Sequence, residues 1–440
     1  MKSVAINIFE DDHVFDFGPL IPSRPVWNLR LGAFTFYERL LRQFSATRIN
    51  TFQRHEIKPL TEVETRENLT LMPENNHTTD LYINGRMMLT ANDAARLMHE
   101  TDAVVYQYGN EILAFRLNRE GKDRQLWDER GLLNVHGLDN MERRGLEGRL
   151  FHYHYEMVQH NAEAIYRDFE LQSGKYPANV LKAPSDAAVR EPKNIEAVGL
   201  ATIGPGAILN AEKHRIRLGK NAVIGPGVIL DAAEGPVWID QSAEVKAGAV
   251  LLGPVYVGPN AIIRPGARLY GGVTLGPHCR VGGEVADSIM VGYSSKQHSG
   301  YLGASYVGEW VNLGADTNNS DLKNNYKPVE VILNGRRIDS GDLHVGVLIA
   351  DFSRTAIQTR LNSGTVIGVS CNILGNDFPE KYVPSFSWVS SEGAQEYKLD
   401  KALETIAAVM PRRGRELTPA LREALTRHFK ETAPERAAFI

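Results

Sequence analysis

The 440-residue sequence predicts an α/β domain, then a parallel β-helix, then a helical tail. Three observations carry this. Aliphatic residues recur every sixth position through the middle of the chain. Before about residue 180 the pattern alternates between strand-like and helix-like stretches. After residue 394 two amphipathic stretches follow one another. The expected boundaries are 1–178 for the α/β domain, 179–198 for a linker, 199–394 for the β-helix and 395–440 for the tail.

The repeat is the strongest signal. Ile239, Val245, Leu251, Val257, Ile263, Leu269, Leu275 and Val281 are spaced by six. The same step joins Leu218, Ile224 and Leu230, returns at Val307 and Leu313, and again at Leu361, Ile367 and Ile373. Glycine often follows, as in Ile203–Gly206 and Leu275–Gly276. A helix would want apolar residues three and four apart, so six is not a helical period. One short strand and one corner per hexad satisfy it. Three hexads close a triangular coil of about eighteen residues, and stacked coils pair their backbones with the coils above and below.

The first 180 residues show no hexads. VAINIFEDD is an opening strand that ends in acids, and FTFYERLLRQF (34–44) has helical spacing. TDLYINGRMML (79–89) leads from a strand into a loop, and TANDAARLMHE (90–100) is a capped helix. DAVVYQY and EILAFRL form a strand pair. Such alternation predicts a mostly parallel sheet. His152, His154 and His160 lie close together, but their spacing matches no common zinc pattern, and aromatic packing at a domain junction is the expected role. LQSGKYPANVLKAPSDAAVREPKN (171–194) is a linker. In the tail, EYKLDKALETIAAVM and TPALREALTRHFKE are expected to cover the β-helix end or a neighbouring subunit.

Composition narrows the function. The net charge of −4 carries no basic excess for nucleic acid and no polybasic run for anionic lipid. No apolar run approaches the ~18 residues of a membrane helix. The start, MKSVAINIFEDD, lacks the pattern of an export signal. Cys279 and Cys371 are far apart and are expected as buried, reduced thiols. A cytoplasmic protein is expected.

The hexads fail between Val281 and Val307 and again from Asp316 to about Lys327. A break in a solenoid commonly maps to a loop on the binding face. The stretch 291–326 is therefore expected to be one or two loops thrown out from adjacent coils, with NNSDLKNNY alternatively a solvated turn.

Here the sequence resembles the acetyltransferase half of the bifunctional bacterial enzyme that makes UDP-N-acetylglucosamine. His298–Ser299–Gly300–Tyr301–Leu302–Gly303, Val311–Asn312–Leu313–Gly314–Ala315–Asp316, Asn325–Tyr326 and Arg264–Pro265–Gly266 stand in that family's order. The resemblance implies a left-handed hexapeptide β-helix, generally a homotrimer with ligands between subunits. It makes His298 the general base that takes a proton from a sugar amine, with Asn325 beside it. It makes Arg264, Tyr301, Asn312 and Tyr326 substrate-binding residues, and acetyl-CoA the acyl donor. The chemistry is consistent, since a neutral imidazole suits proton removal near pH 7 and a guanidinium fork suits a phosphate. Two departures stand out. Alanine (Ala286) replaces a phosphate-binding lysine, and Asp316 replaces a glycine. The string GGEV…KxH…GEW.NLGADTN.S.LKNNY resembles more fully a divergent, sugar-nucleotidyltransferase-like branch, an alternative form of the same bifunctional enzyme.

That branch also opens with the pattern of Phe9–Asp12, Pro19–Leu20, Arg24–Pro25–Val26, Leu29–Arg30, Gly32 and Glu38–Arg39. The resemblance implies a domain that couples a sugar 1-phosphate to UTP or dTTP with Mg²⁺. Arg24 and Arg30 are the candidates for the nucleotide phosphates, and Asn161 for the nucleotide cleft. The Gly-x-Gly-Thr-Arg loop and the strand-end Gly-Asp-x-Pro are absent, and Ile83–Asn84–Gly85–Arg86 offers no carboxylate. Asp11 and Asp12 are the acids left to hold Mg²⁺. The expected function is therefore acyl transfer to an amino-sugar phosphate together with nucleotidyl transfer to a sugar 1-phosphate. The alternatives are one live domain or a non-catalytic sugar-nucleotide-binding scaffold.

Overall fold

The computed structural model describes residues 4–46, 49–61, 79–118, 126–174, 183–375 and 377–440. Part of the expected linker, 175–182, lies outside the described residues. The chain divides into two compact units. One holds the residues up to Leu29, Phe34–Tyr153 and Pro419–Leu425, and the other holds Arg30–Ala33, His154–Thr418 and Thr426–Ile440.

The first unit is built on six strands: β1 (Val4–Phe9), β2 (Asn50–Phe52), β3 (Thr79–Asn84), β4 (Val104–Tyr108), β5 (Glu111–Asn118) and β6 (Glu142–Arg144). Their order in the sheet is β2-β1-β3-β5-β4-β6. β1 runs parallel to β2 and β3, and β6 parallel to β4. β5 alone is antiparallel to both its neighbours, so five of the six strands share one direction and the sheet is mostly parallel, as expected. The turn Tyr108–Glu111 is too short for a crossover helix, and a short connection joins antiparallel strands. Helices α1 (Phe36–Gln43) and α2 (Ala91–His99) start where the sequence places them. Thr35 and Thr90 each cap the backbone three residues on, and Glu38 and Asp93 return the bond. Phe9, Phe115, Tyr82 and Trp127 pack one face of the sheet.

The second unit is the three-sided parallel β-helix that the hexads predict. One side stacks Leu218, Ile239, Val257, Leu275, Met290 and Val307. The others stack Leu209, Leu230, Leu251 and Leu269, and Ile203, Ile224, Val245, Ile263 and Val281. All these side chains are buried in one core. Each contributes about 1.5–3 kcal/mol relative to exposure.

The coils are not of equal length. Partners are 21 residues apart from Ile224 to Val245, 18 from Val245 to Ile263, 15 from Val281 to Lys296 and 17 from Val285 to Leu302. Residues 291–306, the first part of the 291–326 stretch expected as loops, are therefore not thrown out of the solenoid. They form short coils that keep the backbone ladder while losing the period of six. The excursion comes later. Between Val307 and its partner Ile349 the chain inserts 320–346, which carries the hairpin Glu330–Leu333 with Arg336–Asp339. Asn319 shows how polar residues sustain the ladder there. Its side-chain amide accepts from the Gly303 amide at 2.9 Å and donates to the Gly303 carbonyl at 2.9 Å, as a neighbouring strand would.

One corner carries left-handed residues in register: His278, Tyr293, Trp310 and Phe352 all have φ between 57° and 63°. Bulky side chains seldom adopt that region. Here their rings stack, His278 on Tyr293 at 5.1 Å, Tyr293 on Trp310 at 4.4 Å and Trp310 on Phe352 at 6.5 Å. The stacking, with burial, offsets the backbone cost.

Helices α3 (His154–Gln159) and α4 (Asn161–Gln172) belong to this unit, as do the short residues 30–33. Three helices close the chain: α5 (Leu399–Val409), α6 (Pro419–Glu431) and α7 (Ala433–Phe439). His428 bonds Ser385 at 2.9 Å, Glu435 meets the Tyr382 hydroxyl, and Phe439 packs on the core. The end of the tail thus covers the last coil, as expected. No described helix is long and apolar enough to cross a membrane. Cys279 and Cys371 are buried and unpaired.

Candidate functional site

A cleft of about 540 Å³ opens on the β-helix where the coils shorten. Arg264, Arg268, Gly283, Glu284, His298 and Tyr301 line it. Arg264 and His298 are exposed, and among the described residues neither side chain has an ion-pair or hydrogen-bond partner. Arg268 is already taken by Glu284 at 2.9 Å. Arg264 is therefore the guanidinium available to an anion.

The loop under His298 is held from below. Lys296 pairs in register with Val281, a position that elsewhere in the column is aliphatic. Its ammonium is buried and donates to the carbonyls of Gly282 (3.0 Å), His298 (3.3 Å) and Gly300 (2.5 Å). Burial lowers its pKa to about 8, with Asp316 and Glu284 pulling the other way. From the side, Ser299 donates to Asp316 at 2.5 Å. Asp316, which stands where the resembled family has glycine, has φ 58°, a region that aspartate tolerates. Asn318 accepts the Tyr301 amide at 2.8 Å, and the Tyr301 hydroxyl donates to Asp321 at 3.2 Å. Burial, with Asp321, pushes that hydroxyl well above its ordinary pKa, so it remains a donor.

Of the residues singled out from sequence, the cleft brings together Arg264, His298 and Tyr301. Asn312, Asn325 and Tyr326 are exposed and do not line it. Asn312 lies in the ladder, its amide on the Ser353 carbonyl at 3.0 Å, and Tyr326 is 71% exposed. Sequence reading gave no role to Lys296, Arg268, Glu284 or Asn318, although all but Arg268 lie within the motif string. A lysine inside a column of aliphatic residues was the available signal.

In the first unit, polar groups gather at the carboxyl ends of β1, β2 and β3, where open α/β sheets bind ligands. Glu10 is fully buried and accepts from Arg54 Nε at 3.1 Å and from the Val26 amide at 2.8 Å. The same Arg54 donates to the Arg24 carbonyl at 3.1 Å. Arg24 itself is buried. Asp11 makes a two-pronged pair with Arg86, at 3.0 and 2.8 Å, and accepts from Asn84 at 2.8 Å. Burial pushes the Asp11 carboxyl up, but Arg86 and Asn84 hold it below its ordinary value. Asp12 is 68% exposed and pairs with Arg130 at 2.6 Å. Asp11 and Asp12 are thus committed to different arginines. This donor set does not form a shared carboxylate site for Mg²⁺.

Arg30 and Asn161 belong to the β-helix unit, and Arg24 to the first. The Tyr306 hydroxyl lies 3.1 Å from both the amide and the carbonyl of Arg30. Asn161 accepts from the Gly32 amide at 2.8 Å and the Thr274 hydroxyl at 3.1 Å, and donates to the Gly272 carbonyl at 2.7 Å. Gly32 has φ 68°, and a β-carbon there would come within 2.5 Å of Asp168. These bonds fasten residues 30–33 to the strand Val273–Leu275.

Residues 6–175 match the sugar nucleotidyl transferase family. That span takes in β1 from Ile6 onward, the other strands of the first unit, and α3 and α4. A bifunctional sugar-1-phosphate nucleotidylyltransferase/acetyltransferase of Sulfurisphaera tokodaii is 36% identical over 90 residues, 20% of this chain and 22% of that protein. The bifunctional protein GlmU of Methanocaldococcus jannaschii is 30% identical over 106 residues, 24% of this chain and 26% of that protein. The chain thus spans about a quarter of the length of these curated relatives. Among solved structures, the UDP-N-acetylglucosamine acyltransferase of Campylobacter jejuni is 13% identical, covering 58% of this chain and 93% of that one, with a TM-score of 0.30. Within the region that matches the sugar nucleotidyl transferase family, the turn after β1 is an acidic helical turn, Asp12–Leu20, with Gly18 in the left-handed region at φ 54°.

Proposed function

We propose that the protein is a two-chemistry transferase of sugar-nucleotide synthesis. The β-helix transfers an acetyl group from acetyl-CoA to an amino-sugar phosphate. The first unit transfers a nucleotidyl group from UTP or dTTP to a sugar 1-phosphate. The observation that carries the reading is the convergence of Arg264, His298 and Tyr301 in one cleft.

In the β-helix, Arg264 holds the sugar phosphate by charge-assisted hydrogen bonds. His298 takes a proton from the amine as its nitrogen adds to the thioester carbon, then returns a proton to the departing CoA sulfur. Tyr301 positions the sugar through its hydroxyl. Asn312, Asn325 and Tyr326, which stand outside the cleft, are assigned to substrate held against a neighbouring copy, with Asn325 orienting the reacting groups there. A homotrimer fits this arrangement, because the flat sides of a solenoid bury best in closed symmetry. Two buried thiols suit a reducing cytoplasm.

In the first unit, Arg24 faces the nucleotide phosphates. Mg²⁺ arrives with the triphosphate, where it neutralises phosphate charge. Asp12, exposed and paired with Arg130 at the surface, is the carboxylate that would turn toward it, and Asp11 stays with Arg86. Arg30 and Asn161 act indirectly, by fixing the segment that follows Arg24. The commitment of Asp11 to Arg86 also favours a second reading for this unit, nucleotide binding without turnover. Thiol release from acetyl-CoA with glucosamine phosphates, and pyrophosphate release from UTP or dTTP with sugar 1-phosphates, test the two halves separately. Neither product from any pair would leave the scaffold reading.

A further inference from the structure

We propose that His13, His152 and Glu111 hold a divalent transition-metal ion in the first unit. The inference goes beyond nucleotidyl transfer and does not depend on it.

The three residues are remote in sequence and meet through the fold. His13 lies on the helical turn after β1, Glu111 opens β5, and His152 follows the short strand Arg149–Leu150. One ligand atom from each lies within 4.8 Å of the other two. His152 Nε2 is 2.8 Å from Glu111 Oε1, and His13 Nε2 is 3.6 Å from the same oxygen. Two ligands on a tetrahedral zinc, each about 2.0–2.1 Å from the ion, stand about 3.3 Å apart. The two separations straddle that value. The rings cross edge to face, with centroids 5.3 Å apart.

The hydrogen-bond bookkeeping points the same way. His13 Nδ1 is 2.9 Å from Asp16 Oδ2. An ionised carboxylate only accepts, so Nδ1 carries the proton. In a neutral ring, Nε2 is then a bare lone pair, and it faces the Glu111 carboxylate. A metal ion placed between two such acceptors satisfies both. A carboxylate behind the ligating imidazole is also the arrangement that orients metal-bound histidines. Arg86 donates to the same Glu111 oxygen, Oε1, at 2.7 Å and to Asp11 at 2.8 Å, so two carboxylates share one guanidinium and the group keeps a net negative charge. Two imidazoles and one carboxylate suit Zn²⁺, Co²⁺, Fe²⁺ or Ni²⁺ rather than Mg²⁺, which prefers an all-oxygen shell. Three protein ligands leave a position open to water or to a phosphate oxygen.

The test uses the full chain stripped with a chelator and titrated with Co²⁺, read by its visible absorption, in Mg²⁺ excess and without nucleotide. The expected result is about one Co²⁺ per chain. His13→Ala, at a half-exposed position where folding should tolerate the change, should lose the signal. His152→Ala should lose it too, and His136→Ala, an exposed histidine outside the cluster, should keep it. No absorption with folded wild type, binding unchanged in His13→Ala, or equal loss in His136→Ala would each overturn the proposal.

Discussion

The ammonium of Lys296 donates to the carbonyl of His298 at 3.3 Å, from a core position that faces Val281 in the coil before it. A lysine there gives up apolar packing and in return fixes the backbone of the loop that carries the histidine. Burial lowers its pKa to about 8, so its contribution to stability depends on pH.

The sign follows from proton linkage. The folded protein releases this proton near pH 8, and the unfolded chain only near the ordinary lysine value of about 10.4. Between those values the unfolded state binds more protons, so the Lys296 contribution to stability rises with pH. Denaturant melts of wild type and Lys296→Met from pH 7 to 10.5 should show wild type gaining on the variant as pH rises. A constant difference would mean that Lys296 titrates normally.

His298→Ala should lower turnover in acetyl transfer by about 10²–10⁴, the usual contribution of a positioned base. Its melting temperature should hardly move, because the side chain is exposed. Arg264→Ala should chiefly raise the KM for the sugar phosphate. Thiol-release kinetics read both, and full activity in His298→Ala would make this histidine an ordinary loop residue.

Leu251→Ala should destabilise the β-helix by about 2–5 kcal/mol. The side chain is fully buried, between Leu230 and Leu269 in its column. Urea unfolding measures the loss, and a change below about 1 kcal/mol would contradict the close packing of that column.

Asp11→Asn should destabilise the first unit, because Arg86 is fully buried and keeps only Glu111 as an ionised partner. Removing one member of a buried pair costs about 3–5 kcal/mol. The wild-type contribution is present above the ordinary aspartate pKa and is lost as acid carries the pH down through the lowered folded value. Unfolding curves from pH 7 to pH 3 should therefore converge for the two proteins at the acid end.

Local pattern and tertiary placement divide the molecule between them. The hexads specify the β-helix from sequence, because burying one aliphatic residue per short strand is a property of each six-residue step. The capped helices α1 and α2 are legible for the same reason, since Thr35 with Glu38 and Thr90 with Asp93 act within one turn. The cleft was half legible: the order of Arg264, His298 and Tyr301 pointed to it. That Asn312, Asn325 and Tyr326 lie outside the lining was not. Where the period fails, sequence alone predicts loops over 291–326. Only the paired backbone shows that short coils continue, since ladder bonds do not require aliphatic side chains. Arg30 and Asn161 illustrate the same limit, as motif order carries no information about which unit a segment packs on. His13, Glu111 and His152 have no sequence spacing to betray them. They meet because β1, β3 and β5 lie side by side, and strand order is decided by the whole sheet.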